Sequence, residues 1–535
     1  MKSIILLISV SISLFSATTD LICAQNSQKM VVSHYMVGMS IYGNTVADLK
    51  NDINDAHNQG IEAFQLNMNT WNNADYKLVT SNMYQAASEC SFPFYLFPSA
   101  GFGINPDVPV VQWSYDDIYN YLQLYGKHTN QLQVDGRPLF TSWLGEAKGV
   151  AFWKNVKKSL MDSCGINLYY VPWHASFLAY GSTIPLTPEL IEKYLTEWNG
   201  VIDGFFWWGA SRHPFPADIA LNITPAKSIP TAAEYLSNAL RLNNLSFMTP
   251  VVPSFWATCK DPCKYTEHNG AKGLQSQWMS IINNQTARWV NLVTWNDKGE
   301  DTHWTPHPNP STALKIKIYS HAGYVELNKY YIQWWKTGQQ PTIENDKIFY
   351  FYRTQFQDAV PLTENCPFNC NDTLPDKIYV TTMLVNPATL TIYSGSKTTV
   401  HQVPGGVYYW EAEMGYGSQR FRITRGAEVV IDTISEKLVD KIPQYKTRSL
   451  FSGFSETNRN VTSINKTISN NFVSSFGKTI VCSNKGLIQV YNFQGSKMLE
   501  VQVVDRLNTN MASGIYLVRF TDNNGNVSNS RVQIK

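Results

Sequence analysis

The sequence predicts an α/β chain: a (β/α)8 TIM barrel followed by a small antiparallel β-sandwich and a C-terminal β-rich module. Two changes of texture carry this reading. From residue 30 to about 340, short apolar runs alternate with stretches of helical period; past Arg353 the helical period disappears and short alternating runs with Gly-rich turns take over. The runs at 30–37, 61–68, 92–99, 138–144, 167–173, 201–208, 246–253 and 289–296 are rich in Val, Ile, Phe, Tyr and Trp, as strands are. Between them lie amphipathic segments such as 45–59, with Val46, Leu49, Ile53 and Ala56 on one face and Asp48, Asn51, Asp52 and Asp55 on the other. Similar periods recur at 75–90, 115–131, 148–163, 188–198, 228–243, 274–285 and 326–338. Eight strand–helix pairs in about 300 residues fit a barrel, whereas a doubly wound sheet would place a Gly-rich phosphate loop after its first strand, and none follows here.

The boundaries follow the same signals. Lys2, the apolar run Ile4–Phe15 and the small and polar residues leading to Ala24 read as a secretory signal peptide over 1–24, which implies a secreted or cell-surface protein. Cys23 would suit a lipid anchor, but the branched Ile22 before it stands where such a cleavage site needs a small residue. The barrel is expected over 25–365 and the sandwich over 366–448, from runs such as KIYVTTMLV, VYYWEAEM and AEVVIDTI. Residues 449–472, rich in Ser, Thr and Asn, read as a linker, and 473–535 as the last module. No later stretch has the roughly 18 uncharged apolar residues of a membrane span.

Charge and composition narrow the partners. Forty-three basic residues against 41 acidic give a net charge of +2 with no basic cluster, so nucleic acid is not indicated. Aromatic residues reach 13%, with 16 Trp, while charged residues reach 16%. Such faces suit stacking on sugar rings, and they suit a large barrel core equally. Cys259/Cys263 and Cys366/Cys370 are close pairs, read as disulfides in an exported chain in preference to zinc; Cys90, Cys164 and Cys482 leave at least one thiol free or intermolecular. No metal or nucleotide cofactor is suggested, for HExxH, P-loop and dinucleotide fingerprints are missing.

Barrel chemistry sits at the carboxyl ends of strands, and the eighth end is the most informative. ARWVNLVTWNDKGEDTHW places Asp297 and Glu300 just past the strand. Hydrolysis of a glycosidic bond needs one protonated and one ionised carboxyl group, and a single turn here supplies both. Taken alone, an acidic pair in a loop is more often a solvated turn. Asn67, Trp143, Glu146, Trp173, Trp207, Trp208 and Trp295, at or near other strand ends, are candidate substrate contacts, each Trp having ordinary barrel packing as an equal alternative. Asp203 and His34 read as structural.

TWNDKGED resembles the TWND-x-GES segment of glycoside hydrolase family 71, the endo-α-1,3-glucanases or mutanases. VVSHYMVG at 31–38, GIEAFQLN at 60–67, FTSWLGE at 140–146, YYVPW at 169–173, IDGFFWW at 202–208, MTPVVP at 248–253 and YFYR at 350–353 resemble further family blocks in order. The resemblance implies cleavage of α-1,3-glucan with inversion, Asp297 and Glu300 taking the essential carboxylates and Glu146 the acidic position after strand four. Ser99, Glu62, the PSFW segment, Asp301 and Thr302 depart from the family pattern, and are expected to bear on linkage and chain-length preference. A glycosidase of another linkage, or a non-catalytic polysaccharide-binding surface protein, are the alternatives. In the tail, GLIQVYNFQGSKM followed by MASGIYLVRFTDNNG resembles the sorting domain of proteins exported by the type IX secretion system, whose machinery would then be a partner.

Overall fold

The computed structural model describes residues 29–102, 112–174, 187–209, 229–257, 264–266, 268–306, 319–363, 375–457 and 473–534, apart from 477, 493–495 and 523–526. The expected signal segment and both close cysteine pairs lie outside the described residues. Among the described residues, Cys90 and Cys164 are free thiols.

Among the described residues, eight parallel strands alternate with eight helices. They are β1 Met30–Met36, α1 Val46–His57, β2 Ala63–Met68, α2 Ala74–Ser88, β3 Tyr95–Gly101, α3 Tyr115–Tyr125, β4 Arg137–Trp143, α4 Gly149–Cys164, β5 Tyr169–Trp173, α5 Pro188–Glu197, β6 Gly204–Phe206, α6 Ile229–Leu242, β7 Ser246–Val251, α7 Lys272–Asn284, β8 Trp289–Leu292 and α8 Ala322–Thr337. The strands form one curled parallel sheet in the order β5-β4-β3-β2-β1-β8-β7-β6. At its two ends, the Asp203 N–H before β6 donates to the Tyr170 carbonyl of β5 at 2.8 Å. Capping boxes, Thr45 with Asp48 and Ser114 with Asp117, start α1 and α3 by satisfying N–H groups that the first helical turn leaves bare.

One face of α1 differs from the expectation. Asp52 is not on the polar side; it is 1% exposed, alongside Leu49, Ile53 and Ala56. Its place three residues after Leu49 and four before Ala56 puts it on the inward stripe, and its carboxylate is accommodated there by donors described below.

Two four-stranded antiparallel sheets follow. Their strands are β9 Lys347–Arg353, β10 Lys377–Leu384, β11 Ala388–Ser394, β12 Lys397–Val403, β13 Gly406–Glu413, β14 Gln419–Arg425, β15 Glu428–Ile434 and β16 Leu450–Glu456, in the orders β13-β10-β9-β16 and β12-β11-β14-β15. Alternation along β9 sends Ile348, Tyr350 and Tyr352 into a core shared with Leu390, Ile392, Phe421 and Ile423 of the second sheet. The opposite face, Phe349 and Phe351 with Tyr379 and Met383, joins the core of the parallel sheet and its helices. Two sequence-based boundaries change accordingly. Residues 347–353, placed with the barrel, pair with β10 and β16. Residues 450–456, placed in a linker, form the strand beside β9, because Leu450, Phe451 and Ser452 are buried there in spite of their polar neighbours. The seam is tight: a Cβ on Gly323 in α8 would meet the Gly453 carbonyl oxygen at 2.8 Å.

The chain divides into two compact units, Met1–Thr457 and Asn458–Lys535. The second has five antiparallel strands, Val473–Phe476, Thr479–Tyr491, Lys497–Asn508, Gly514–Asp522 and Val527–Ile534, around Ile480, Ile488, Val490, Val518, Phe520, Val532 and Ile534.

A chain ended at Asp346 exposes one face of the first core and should aggregate, whereas one ended at Thr457 should elute as a folded species and unfold cooperatively. Size-exclusion chromatography with thermal melts checks both.

Candidate active site

β8 stops at Leu292, four residues short of the expected run, because the chain then bends over the carboxyl end of β1. The Trp295 N–H donates to the His34 carbonyl at 2.7 Å. Asn296 clamps the same strand at two points: its Oδ1 accepts the Met36 N–H at 2.7 Å and its Nδ2 donates to the Met36 carbonyl at 3.0 Å. Beneath, Trp295 Nε1 donates to Asp52 Oδ1 at 2.9 Å and the Tyr35 hydroxyl donates to Asp52 Oδ2 at 3.0 Å. Burial raises the Asp52 carboxyl above the usual aspartate range, while hydrogen bonds from Ser40, Trp295 and Tyr35 oppose the rise.

This anchoring fixes the turn that carries Asp297 and Glu300. The Asp297 N–H donates to Thr294 Oγ1 at 2.8 Å, and the Thr302 N–H returns to the Asp297 carbonyl at 3.2 Å. Asp297 Oδ1 accepts the Glu300 N–H at 3.1 Å, so one acidic side chain holds the backbone of the other. The Glu300 carbonyl accepts the Trp256 N–H at 2.9 Å. Both acidic residues keep part of their surface open. Burial raises the Asp297 carboxyl, against the lowering effect of the Glu300 and Gly299 amides. No described cation pairs with Asp297.

Of the other candidates, Trp143 and Trp173 end the adjacent strands β4 and β5 as register partners, with rings stacked at 10° and 6.1 Å between centroids. Trp143 is half-buried and Trp173 nearly covered. Glu146 follows in a short 3-10 turn. That turn is entered through Leu144 in the left-handed region, at φ 58°, and through Gly145, where any side chain would run into the Ser142 and Tyr170 hydroxyls. Asn67, at the end of β2, donates to Met36 Sδ at 3.4 Å. Trp207 and Trp208 follow β6, and Trp208 meets the His34 ring edge-on at 4.6 Å. Trp295 is a correction: it is 0% exposed, packed on Phe64 and bonded to Asp52, so it supports the turn from behind and offers no face to a sugar.

A polar layer not evident from the sequence lies between the strands. His34 Nδ1 and the Asn291 amide both meet Gln65 Oε1, at 2.9 and 3.0 Å; Gln65 Nε2 donates to Thr141 Oγ1 at 2.8 Å, and Thr141 donates to the Pro98 carbonyl. Burial lowers the His34 imidazole to about 4, keeping it neutral. Polar residues inside otherwise apolar strands were the available signal. Asp203 is tied to Arg137 and Lys157, both at 2.7 Å, and accepts the Tyr170 N–H, a structural role. Glu62 is a second correction. It lies just before β2, where it accepts the Val31 N–H and pairs with Lys336 at 2.6 Å, at the strand end opposite the turn.

Asp301, His303 and His321 bring a carboxylate and two imidazoles together, fully buried. His303 Nε2 faces the Tyr319 carbonyl and His321 Nδ1 the His303 carbonyl, at 3.0 and 2.8 Å, so both nitrogens carry protons and donate. The rings stack at 12° with centroids 4.0 Å apart. Nearly parallel rings cannot both aim in-plane lone pairs at one ion about 2.1 Å away, so the cluster does not fit a metal centre. Instead, Asp301 Oδ1 accepts from Ser449 at 3.0 Å and Ser254 donates to the Asp301 carbonyl at 2.6 Å, fastening the loop to the segment before β16.

Trp295→Phe deletes the donor to Asp52 while keeping an aromatic ring. Leaving that buried oxygen without its partner should cost about 1–3 kcal/mol, read as a lower urea midpoint at unchanged slope.

The sequence profile described as glycosyl hydrolase family 71 matches residues 27–472. A protein named mutanase from Penicillium rubens is 26% identical over 430 residues, covering 76% of this chain and 84% of its own. The glucan endo-1,3-alpha-glucosidase agn1 of Schizosaccharomyces pombe is 26% identical over 446 residues, covering 81% and 95%. Among solved structures, a GH99 endo-alpha-mannosidase from Bacteroides thetaiotaomicron aligns with a TM-score of 0.43 at 14% identity, covering 58% of this chain and 98% of its own. With the family profile spanning most of its length, the chain belongs to glycosyl hydrolase family 71 and is a glycoside hydrolase.

Proposed function

We propose that the protein is a secreted hydrolase of α-1,3-glucosidic bonds in glucan, endo-acting with inversion, and that Asp297 and Glu300 are the reacting pair. The observation that carries this is the anchored turn, in which two partly open carboxyl residues stand past the last parallel strand with their backbone fixed at Asn296, Thr294 and Asp297 itself. The names of the fungal relatives, both α-1,3-glucan enzymes or mutanases, support the linkage. The curled sheet and its helices are read as a (β/α)8 barrel, the paired sheets as a β-sandwich and the last unit as a type IX sorting module behind a cleaved signal peptide.

In this reading Glu300 protonates the departing glycosidic oxygen and Asp297 takes a proton from the attacking water. A base is stronger when its pKa lies nearer the working pH, so the upward push on Asp297 suits that role. Trp143, half-buried at the end of β4, offers aromatic surface to glucose rings with Trp173 stacked behind it, and Asn67 and Glu146 are polar contacts, Trp207 and Trp208 reaching the sugar by an edge at most. The base works ionised, so activity is lost as pH falls through the Asp297 value, and the acid limb of kcat/KM should lie above the ordinary aspartate range.

Asp297→Asn and Glu300→Gln should each lower turnover of purified α-1,3-glucan by about 10²–10⁴-fold, measured as reducing ends. NMR of the first products should show the β-anomer; α-anomer, or near-normal turnover in both variants, removes this mechanism. Trp143→Ala should raise KM more than it lowers kcat.

A further inference from the structure

The turn holds a third ionisable group. Lys298 is 6% exposed, and among the described residues its Nζ has no hydrogen-bond partner. A buried ammonium without a bond is costly to maintain, and a residue that only filled space there would serve better as an apolar one. The charged and titratable groups that face it are identifiable. On α1, Asp52 attracts it, but Asp52 already accepts from Tyr35 and Trp295, so it meets Lys298 as a charge and not as a bond partner. Asp55, one turn further along α1, acts on Asp52 and not on Lys298, and is held by the Tyr42 hydroxyl at 2.6 Å. From the descending limb comes His303, whose proton affinity is reduced chiefly by burial and further by His321 and by the Lys298 charge, so it stays neutral.

We propose that Lys298 is a positioning residue for hydrolysis: its ammonium, drawn toward Asp52, pins the turn bearing Asp297 and Glu300 against α1, and losing that charge lets the turn relax. The inference rests on the reading of Asp297 and Glu300 as the reacting pair. Burial brings the Lys298 amine down to about 8, with Asp52 resisting the fall. The holding form is the protonated one, so this contribution to activity is present below that pH and fades above it. Stability moves the other way. An unfolded lysine keeps its proton to a higher pH than the folded one, so across that window the fold gains stability as pH rises. A structural residue would not separate the two.

The test uses an α-1,3-oligoglucosyl fluoride, whose leaving group departs without the general acid and so removes that group's own alkaline limb. In the wild-type protein, kcat should decline through about pH 8. In Lys298→Arg the charge persists, so the decline should vanish while neutral-pH activity is kept. Lys298→Met should lose about tenfold in kcat with KM nearly unchanged, lack the decline, and melt at an equal or higher temperature. A Met variant with wild-type kcat and a superimposable pH profile overturns the proposal. Should neither variant fold, the wild-type protein still decides: the alkaline decline must move to lower pH on warming, as an amine does, and a stationary decline overturns the proposal. Inactive Asp297→Asn and Glu300→Gln beside a Lys298-independent profile sink this inference alone, whereas active amide variants sink the reading of the pair first.

Discussion

The carboxylate of Asp52 is the constraint on which the mouth of the parallel sheet depends. It sits on the inward stripe of α1, where an ionised group is tolerated only if its oxygens are occupied. Tyr35 from β1 and Trp295 from the segment after β8 occupy them. Three separated pieces of chain are thus held to one charge, and the acidic turn is built on the piece that Trp295 begins. Asn296 then fixes the direction of that piece by matching both the donor and the acceptor of Met36. Precision at Asp297 and Glu300 comes from this arrangement behind them, since the turn itself is short and irregular.

A second support reaches the turn from the other direction. Asp301 lies just beyond Glu300 and is fastened to Ser254 and Ser449, which precede the short strand Phe255–Ala257 and strand β16 respectively. The paired sheets are therefore part of the framework of the site and share its core through Phe349, Phe351 and Tyr379. Stacked His303 and His321 fill the space between, their tautomers set by backbone carbonyls.

What could be read from the sequence was what period and composition encode. Strand–helix alternation gave the succession of elements to within a few residues, and the acidic turn stood out because it sets two carboxyl groups just past the last strand. Two kinds of feature were hidden. Asp52 reads as polar because it is charged, although its spacing from Leu49 and Ala56 places it inward; only the partners from β1 and from the segment after β8, distant in sequence, make that position tenable. For Trp295 a sugar contact and ordinary packing were equally open, because a strand-end Trp suits both and composition carries no information on which way its ring turns. The polar layer of His34, Gln65, Thr141 and Asn291 needs four strands to be assembled before its bonds exist. The strand at 450–456 was missed for a related reason: a run with Ser, Gly and Ser gains its burial from β9, about a hundred residues earlier in the chain.

That last pairing bears on how the polypeptide acquires its shape. β9 cannot be flanked on both sides until Leu450–Glu456 has been made, and the face of β9 that closes the first core stays incomplete until then. A ribosome that has finished the eighth helix has therefore produced a sticky intermediate with most of its hydrophobic interior built and no lid on it. Such a topology favours a polypeptide whose first unit closes only when synthesis is nearly done.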